Sequence, residues 1–276
     1  MDRIRLIASD MDATLLNEQS QLPADFEETI HALAELGIRF APASGRPLYT
    51  LEAMFPTLQN ELVFIGDTGG AIRWKGQNLF TSEMSPEGWR ALNRLTREQG
   101  DIAVLCGLES AYVERPFAVH DAVLRHFYTK IEYVDRLEDV TAPADKFTIY
   151  LPQHNAQQAY DTVYASQRSI YSVAVAGECW VDIMNPGVHK GAALQTLGQL
   201  WGLPSESIMA FGDTYNDAEM LQTVRYGFLM ENGSEPLRQK VPFLAPSHRE
   251  AGVMQVLHRV LAQNGCVCPE DFVPAH

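Results

Sequence analysis

Two aspartates, Asp10 and Asp12, close the first apolar run of a 276-residue chain. Ser44 and Gly45 close a second run, and Asp213, Asn216 and Asp217 follow a third, while Lys190 lies at the start of a predicted helix. Asp10 and Asp213 offer hard carboxylate oxygens of the kind Mg²⁺ prefers. The Ser44 hydroxyl and the Gly45 amide are donors suited to phosphate oxygens, and Lys190 supplies a compact positive charge to a phosphoryl group. Two carboxylates two residues apart can divide the work of nucleophile and general acid/base. The set suits phosphoryl transfer through an aspartyl-phosphate. Singly, each residue has a plainer reading. An Asp after a strand often only closes a turn, Ser-Gly is a common loop pair, a lone Lys is usually a solvated charge, and Asn216 would serve as an N-cap. Their joint placement favours chemistry, because the C-terminal ends of parallel strands share one ligand-binding edge.

The elements that must position these groups follow from periodicity. Residues 4–9 form a buried strand, and Pro23 opens a helix with Phe26, Ile30, Leu33 and Leu36 at helical spacing and Gly37 as its stop. Residues 38–43 and 62–65 are further buried strands, and this strand–helix–strand order is the grammar of a parallel sheet. From about Ser82 the pattern changes. Predicted helices over 86–99, 118–128 and 156–167 alternate with strands over 102–106, 111–113, 146–151, 170–174 and 180–184. After Asn185-Pro186-Gly187 the first pattern returns. It comprises a helix over 192–201 stopped by Gly202, a strand over 207–211, a helix from Asn216, strands over 226–230 and 243–244, and a last helix over 252–262. The prediction is an α/β fold: a doubly wound parallel-sheet core, residues 1–81 and 185–276, interrupted by an α+β unit, residues 82–184.

Composition bounds the function. A hydrophobic fraction of 46% excludes a disordered chain. Thirty-five acidic against 21 basic residues give a net charge of -14, which argues against bulk nucleic-acid binding and against an anionic membrane surface. An anionic ligand must then be held by local positive charge or by a metal. No apolar run is long enough to span a membrane, and MDRIRLIASD is too short in its apolar part for a signal peptide. Cys106 and Cys179 sit singly in apolar runs, and Cys266 and Cys268 lack nearby His partners for zinc. A reduced, cytoplasmic protein is expected. His120 and His126 are expected on a surface helix of the insertion, and His189, beside Lys190, is a candidate to line the site.

The chain resembles a known family at four places. Asp10-Met11-Asp12-Ala13-Thr14-Leu15-Leu16, Ser44-Gly45-Arg46, Lys190-Gly191 and Phe211-Gly212-Asp213-Thr214-Tyr215-Asn216-Asp217 are similar, in order, to the four motifs of the haloacid dehalogenase superfamily. The place and size of the insertion resemble the cap of its Cof-like phosphatases, subfamily IIB. Cys106-Gly107-Leu108-Glu109-Ser110-Ala111-Tyr112, the run from Ile183 to Lys190 and Met230-Glu231-Asn232 look most like the bacterial sugar-phosphate and flavin-mononucleotide phosphatases. The resemblance implies a Mg²⁺-dependent phosphatase of small phosphorylated metabolites whose cap selects the substrate. It implies Asp10 as nucleophile and metal ligand. Asp12 would be the acid/base, its backbone carbonyl also on the metal. Asp213 would be the second carboxylate ligand. Ser44, Gly45, Arg46, Lys190 and Asn216 would be substrate ligands, Asp217 would support the metal's water shell, and Thr14 would brace the loop after Asp10. A phosphotransferase or mutase, and a slowly turning-over phospho-switch, are the alternatives. Three departures stand out. Ala13 replaces the usual Gly, which requires a negative φ there. Gly69 replaces a frequent Asn, with a changed substrate-facing contact as the consequence. Arg46 replaces the Asn of the nearest branch, and serves either a second anionic group or a neighbouring carboxylate.

Overall fold

Every residue of Leu6–Asp10 is buried, which explains why this strand stays apolar until the aspartate at its end. The computed structural model describes residues 1–276, and this strand lies at the centre of a nine-stranded sheet. Arg39–Ala43 and Ile208–Gly212 flank it, both parallel to it, with Asp10 opposite Ala43 and Ser9 opposite Phe211. Val63–Gly66 continues the parallel order on one side, and Tyr226–Met230 and Phe243–Ala245 on the other.

Alternation along these strands divides the core into two layers. Ile7, Phe40, Phe64, Met209 and Phe211 face the helices Phe26–Glu35 and Gly252–Ala262. Truncating a fully buried Phe of this layer to Ala would cost about 3–5 kcal/mol. The opposite face carries Ala8, Ala41, Ala43 and Ala210, packed with Ala193, Leu194 and Leu197. These small side chains let the helix Lys190–Trp201 lie close on the sheet. Gly191 brings the same helix against Ala218–Thr223, since a Cβ there would meet the Glu219 carbonyl carbon at 2.7 Å. Gly202 ends the helix in the left-handed conformation, φ 61°.

A second sheet of six strands is built wholly from the inserted residues, in the order Ser172–Val175, Trp180–Met184, Ala144–Tyr150, Ile102–Gly107, Ala111–Glu114, Ile131–Val134. One face packs on Pro86–Gln99 and Ala156–Thr162 through Trp89, Leu92, Phe147, Ile149 and Ile183. The other presents Lys146, Thr148, Tyr150, Trp180 and Asp182, with Thr148 directly opposite Asp182. The chain is thus an α/β protein with a doubly wound core and an α+β cap.

Several local details differ from the sequence expectation. The helix expected over 118–128 is a tight turn Arg115–His120 followed by Asp121–Phe127, and that over 156–167 stops at Thr162. The short helix Leu48–Ala53, the hairpin Ala71–Trp74 and Gln77–Thr81, and Ile131–Val134 are additions. No helix is long and apolar enough to cross a membrane.

Candidate active site

Three adjacent parallel strands end at Asp10, at Ala43 just before Ser44, and at Gly212 just before Asp213. The topology therefore brings residues 10, 44 and 213 to one edge. After Asp10 the backbone turns tightly, with Ala13 at φ 56° and ψ 13°. The negative φ expected there is corrected: Ala13 occupies the left-handed region, which costs a residue with a Cβ roughly 1–2 kcal/mol. Asn232 compensates, donating from Nδ2 to the Ala13 carbonyl at 2.9 Å while its Oδ1 accepts from the His248 amide at 3.0 Å. Thr14 braces the same turn from the other side, donating to Asp213 Oδ1 at 3.4 Å.

Lys190 is fully buried, and its ammonium donates to Asp10 Oδ1 and, at 2.7 Å, to Asp217 Oδ1. Asp217 Oδ2 accepts from the Asp213 and Thr214 amides at 3.1 and 3.2 Å, so this carboxylate also shapes the turn holding Asp213. The N-cap role anticipated for Asn216 is corrected. Thr214 and Asp217 form the reciprocal box that opens this turn, and Asn216 Oδ1 accepts from the Thr214 hydroxyl at 2.5 Å. His189 likewise does not line the cavity: its Nδ1 accepts from the Ala192 amide at 3.1 Å and caps the helix carrying Lys190.

Carboxylate oxygens of Asp10, Asp213 and Asp217 can all lie within 4.8 Å of one another. Burial pushes the Asp10 carboxyl up to about 7, with Lys190 opposing and Asp217 and Asp213 adding to the rise. Burial likewise raises Asp213 to about 6, helped by Asp217 and resisted by Lys190 and Thr14. Burial alone would lower Lys190, but Asp10 and Asp217 outweigh it and raise it. Three buried carboxyl groups share one ammonium, so the cluster is short of positive charge. An all-oxygen donor set with that deficit fits a hard divalent cation.

Asp12 points away from this cluster. Its carboxylate pairs bidentately with Arg46, at 2.5 Å from Nη1 and 3.0 Å from Nη2. Of the two uses open to Arg46, the structure shows pairing with a carboxylate. Arg46 is mostly covered and Asp12 is largely exposed, with side-chain accessibilities of 14% and 59%. Gly69 is corrected as well. Its φ is 101°, and a Cβ would meet the His189 carbonyl oxygen at 2.5 Å, so glycine is required by the close approach of this turn to the Lys190 helix, and it does not line the cavity.

A cavity of about 360 Å³ lies between the two sheets. Asp10, Asp12, Ser44, Gly45, Arg46, Asp213 and Asn216 form its floor. Phe127, Tyr128, Lys146, Thr148, Trp180 and Asp182 form the roof, none of them singled out from the sequence. Lys190 lies behind Asp10 and off the cavity wall. Of the insertion's histidines, His126 is exposed, and His120 is half-buried with its ring 5.4 Å from that of Tyr150.

The fold and this constellation define a class of hydrolase. The sequence pattern of the haloacid dehalogenase-like hydrolases matches residues 7–257, and the chain belongs to that family, in its Cof-like phosphatase branch. It is similar to the 5-amino-6-(5-phospho-D-ribitylamino)uracil phosphatase YbjI of Escherichia coli, 31% identical over 94% of this chain and 96% of that one. It is 30% identical to the HMP-PP phosphatase of Cronobacter sakazakii over 87% of this chain and 89% of the relative. The solved structure of SMU.1108c from Streptococcus mutans superposes with a TM-score of 0.84 at 28% identity, covering 94% of this chain and 99% of that one. The enzyme class is that of a phosphoric monoester hydrolase.

Proposed function

We propose that this chain hydrolyses small phosphorylated metabolites through an aspartyl-phosphate on Asp10, with Mg²⁺ as cofactor. The observation that carries the reading is the buried Lys190, bonded to Asp10 and Asp217 beside Asp213, at the ends of adjacent parallel strands. A carboxylate oxygen of Asp10 attacks phosphorus in line, and the bond from phosphorus to the leaving oxygen breaks. Asp12 gives that oxygen its proton. Asp12 then takes a proton from water, whose oxygen attacks phosphorus and breaks the bond to Asp10, releasing inorganic phosphate.

In the structure Asp12 is paired bidentately with Arg46, so Asp12 has to leave this pairing to protonate the leaving oxygen and to take the proton from water. Ser44 Oγ, the Gly45 amide and Asn216 Nδ2 donate to phosphoryl oxygens. Lys190 acts on Asp10 itself, fixing the nucleophile and offsetting its charge, a placement behind the direct phosphoryl contact that the resemblance implies. Asp10, Asp213 and the Asp12 carbonyl would hold Mg²⁺, with Asp217 supporting its surroundings. When bound, the ion supplies positive charge toward the phosphoryl oxygens.

The substrate class we propose is a sugar or polyol phosphate, with or without an attached planar ring. YbjI is named for a phosphorylated ribityl chain carried on uracil. The roof offers Trp180, Phe127 and Tyr128 as apolar surface for a ring, and the Thr148–Asp182 pair for hydroxyl groups. Screening phosphorylated metabolites by kcat/KM tests the class, and chelation tests the metal. Activity is expected to vanish with chelator and return with Mg²⁺; full turnover in metal-free buffer would overturn the metal assignment.

A further inference from the structure

We propose that Lys146, which the cap carries into the core, is a positioning residue for the phosphate-binding loop, so that the cap completes the phosphoryl site as well as roofing it. This rests on the reading of Ser44 as a phosphoryl ligand.

The loop Ser44-Gly45-Arg46 has each of its three carbonyls engaged. The Ser44 carbonyl accepts from the Thr68 amide at 2.9 Å, and the Arg46 carbonyl from the Asp67 amide at 2.9 Å. The middle carbonyl, Gly45, has the ammonium of Lys146 as its donor, at 2.7 Å. A trans peptide is planar, so fixing the Gly45 carbonyl fixes the Arg46 N–H on the opposite side of the same plane. That N–H donates to Ser44 Oγ at 3.1 Å. With an oxygen lone pair so occupied, the Ser44 hydroxyl hydrogen is left to donate into the cavity. The chain of contacts runs from the cap lysine, through one peptide plane, to the hydroxyl proposed to hold the phosphoryl group.

Lys146 is built to stay in place. Its side chain is 2% accessible, its ammonium lies 2.9 Å from Asp67 Oδ1 and 3.8 Å from Asp182 Oδ2, and Asp182 is pinned by the Thr148 hydroxyl at 2.7 Å. Burial would lower Lys146, but Asp182 and Asp67 outweigh it and keep the ammonium charged. Asp67 and Thr68 are non-glycine residues at φ 49° and 57°, a strained pair that the surrounding contacts must hold. Lys146 thus ties the strained turn, the phosphate loop and the cap sheet together at one nitrogen.

The test compares the unaltered holoenzyme with Lys146→Met and with Lys146→Met/Asp67→Asn, which removes both buried charges together and so spares the fold if the single variant fails. Inorganic phosphate, with Mg²⁺ present, is the probe. The inhibition constant for phosphate is expected to rise about tenfold, the scale of one lost hydrogen bond. The kcat/KM for p-nitrophenyl phosphate and for the best metabolite should fall by one common factor, because the loss lies on the shared phosphoryl group. A folded variant with unchanged phosphate inhibition overturns the proposal. In that case, a changed ranking of metabolites would make Lys146 a selector of leaving groups. Failure of phosphate to bind the unaltered enzyme would instead overturn the functional reading on which the proposal rests.

Discussion

Two buried lysines flank the cavity, each among three aspartates, and they illustrate how little a charge count says about function. Lys190 below the floor has Asp10, Asp213 and Asp217; Lys146 at the roof has Asp67, Asp145 and Asp182. Burial raises Asp10 below, and raises Asp67 and Asp145 above. The difference lies in where the carboxyls stand. Asp10 and Asp213 end adjacent parallel strands and border the cavity, so their oxygens can meet a cation and a substrate. Asp67 and Asp145 are sealed at 1% and 0% accessibility, and Asp145 has neither carboxyl oxygen hydrogen-bonded. Carboxyls so placed can reach neither a cation nor a substrate, and serve the join between cap and core.

That contrast can be broken at four points. The largest effect is expected for Asp10→Asn, which removes the nucleophile: turnover of every substrate should fall by roughly 10⁴–10⁶, measured as kcat with Mg²⁺ saturating. Asp12→Asn comes next. A sugar alkoxide leaves poorly without a proton, so metabolite turnover should fall by roughly 10²–10⁴, whereas release of the first nitrophenolate from p-nitrophenyl phosphate should be largely spared. Lys146→Met should act mainly on stability. It strands Asp67 without its counter-charge and should lower the free energy of unfolding by about 3–5 kcal/mol in urea titration. An unchanged urea midpoint would show that Lys146 adds nothing at the join. The smallest effect is a gain: Ala13→Gly should raise stability by about 1 kcal/mol by relieving the left-handed alanine. A loss of stability there would mean that Asn232 has removed the strain.

The floor was legible in the sequence for a physical reason. Buried parallel strands must be apolar, so a polar residue that ends one stands out, as Asp10, Ser44 and Asp213 do. Lys190 was found by its place at the start of a helix. The roof was not legible. In Ala144–Tyr150 the alternation of Lys146 and Thr148 with Phe147 and Ile149 has the pattern of a half-exposed strand, yet all seven residues are buried, because the core covers the polar side. The partner of Arg46 and the need for Gly69 also depend on approaches across long sequence separations: 34 residues from Arg46 to Asp12, and a turn packed against His189. The edge hairpin and Ile131–Val134 are short strands whose existence depends on long-range pairing more than on their own composition.

The most direct test of the central claim is to trap the covalent intermediate. Asp12→Asn enzyme is mixed with p-nitrophenyl phosphate and Mg²⁺, nitrophenolate release is followed in the first turnover, and the protein is acid-quenched for peptide mass spectrometry. The account predicts a burst near one equivalent, and one phosphoryl group on the peptide that carries Asp10. Asp10→Asn should give neither. A burst with the phosphoryl group on another residue, or slow release without a burst while Mg²⁺ remains bound, would contradict the assignment of Asp10 as nucleophile and Asp12 as its acid and base.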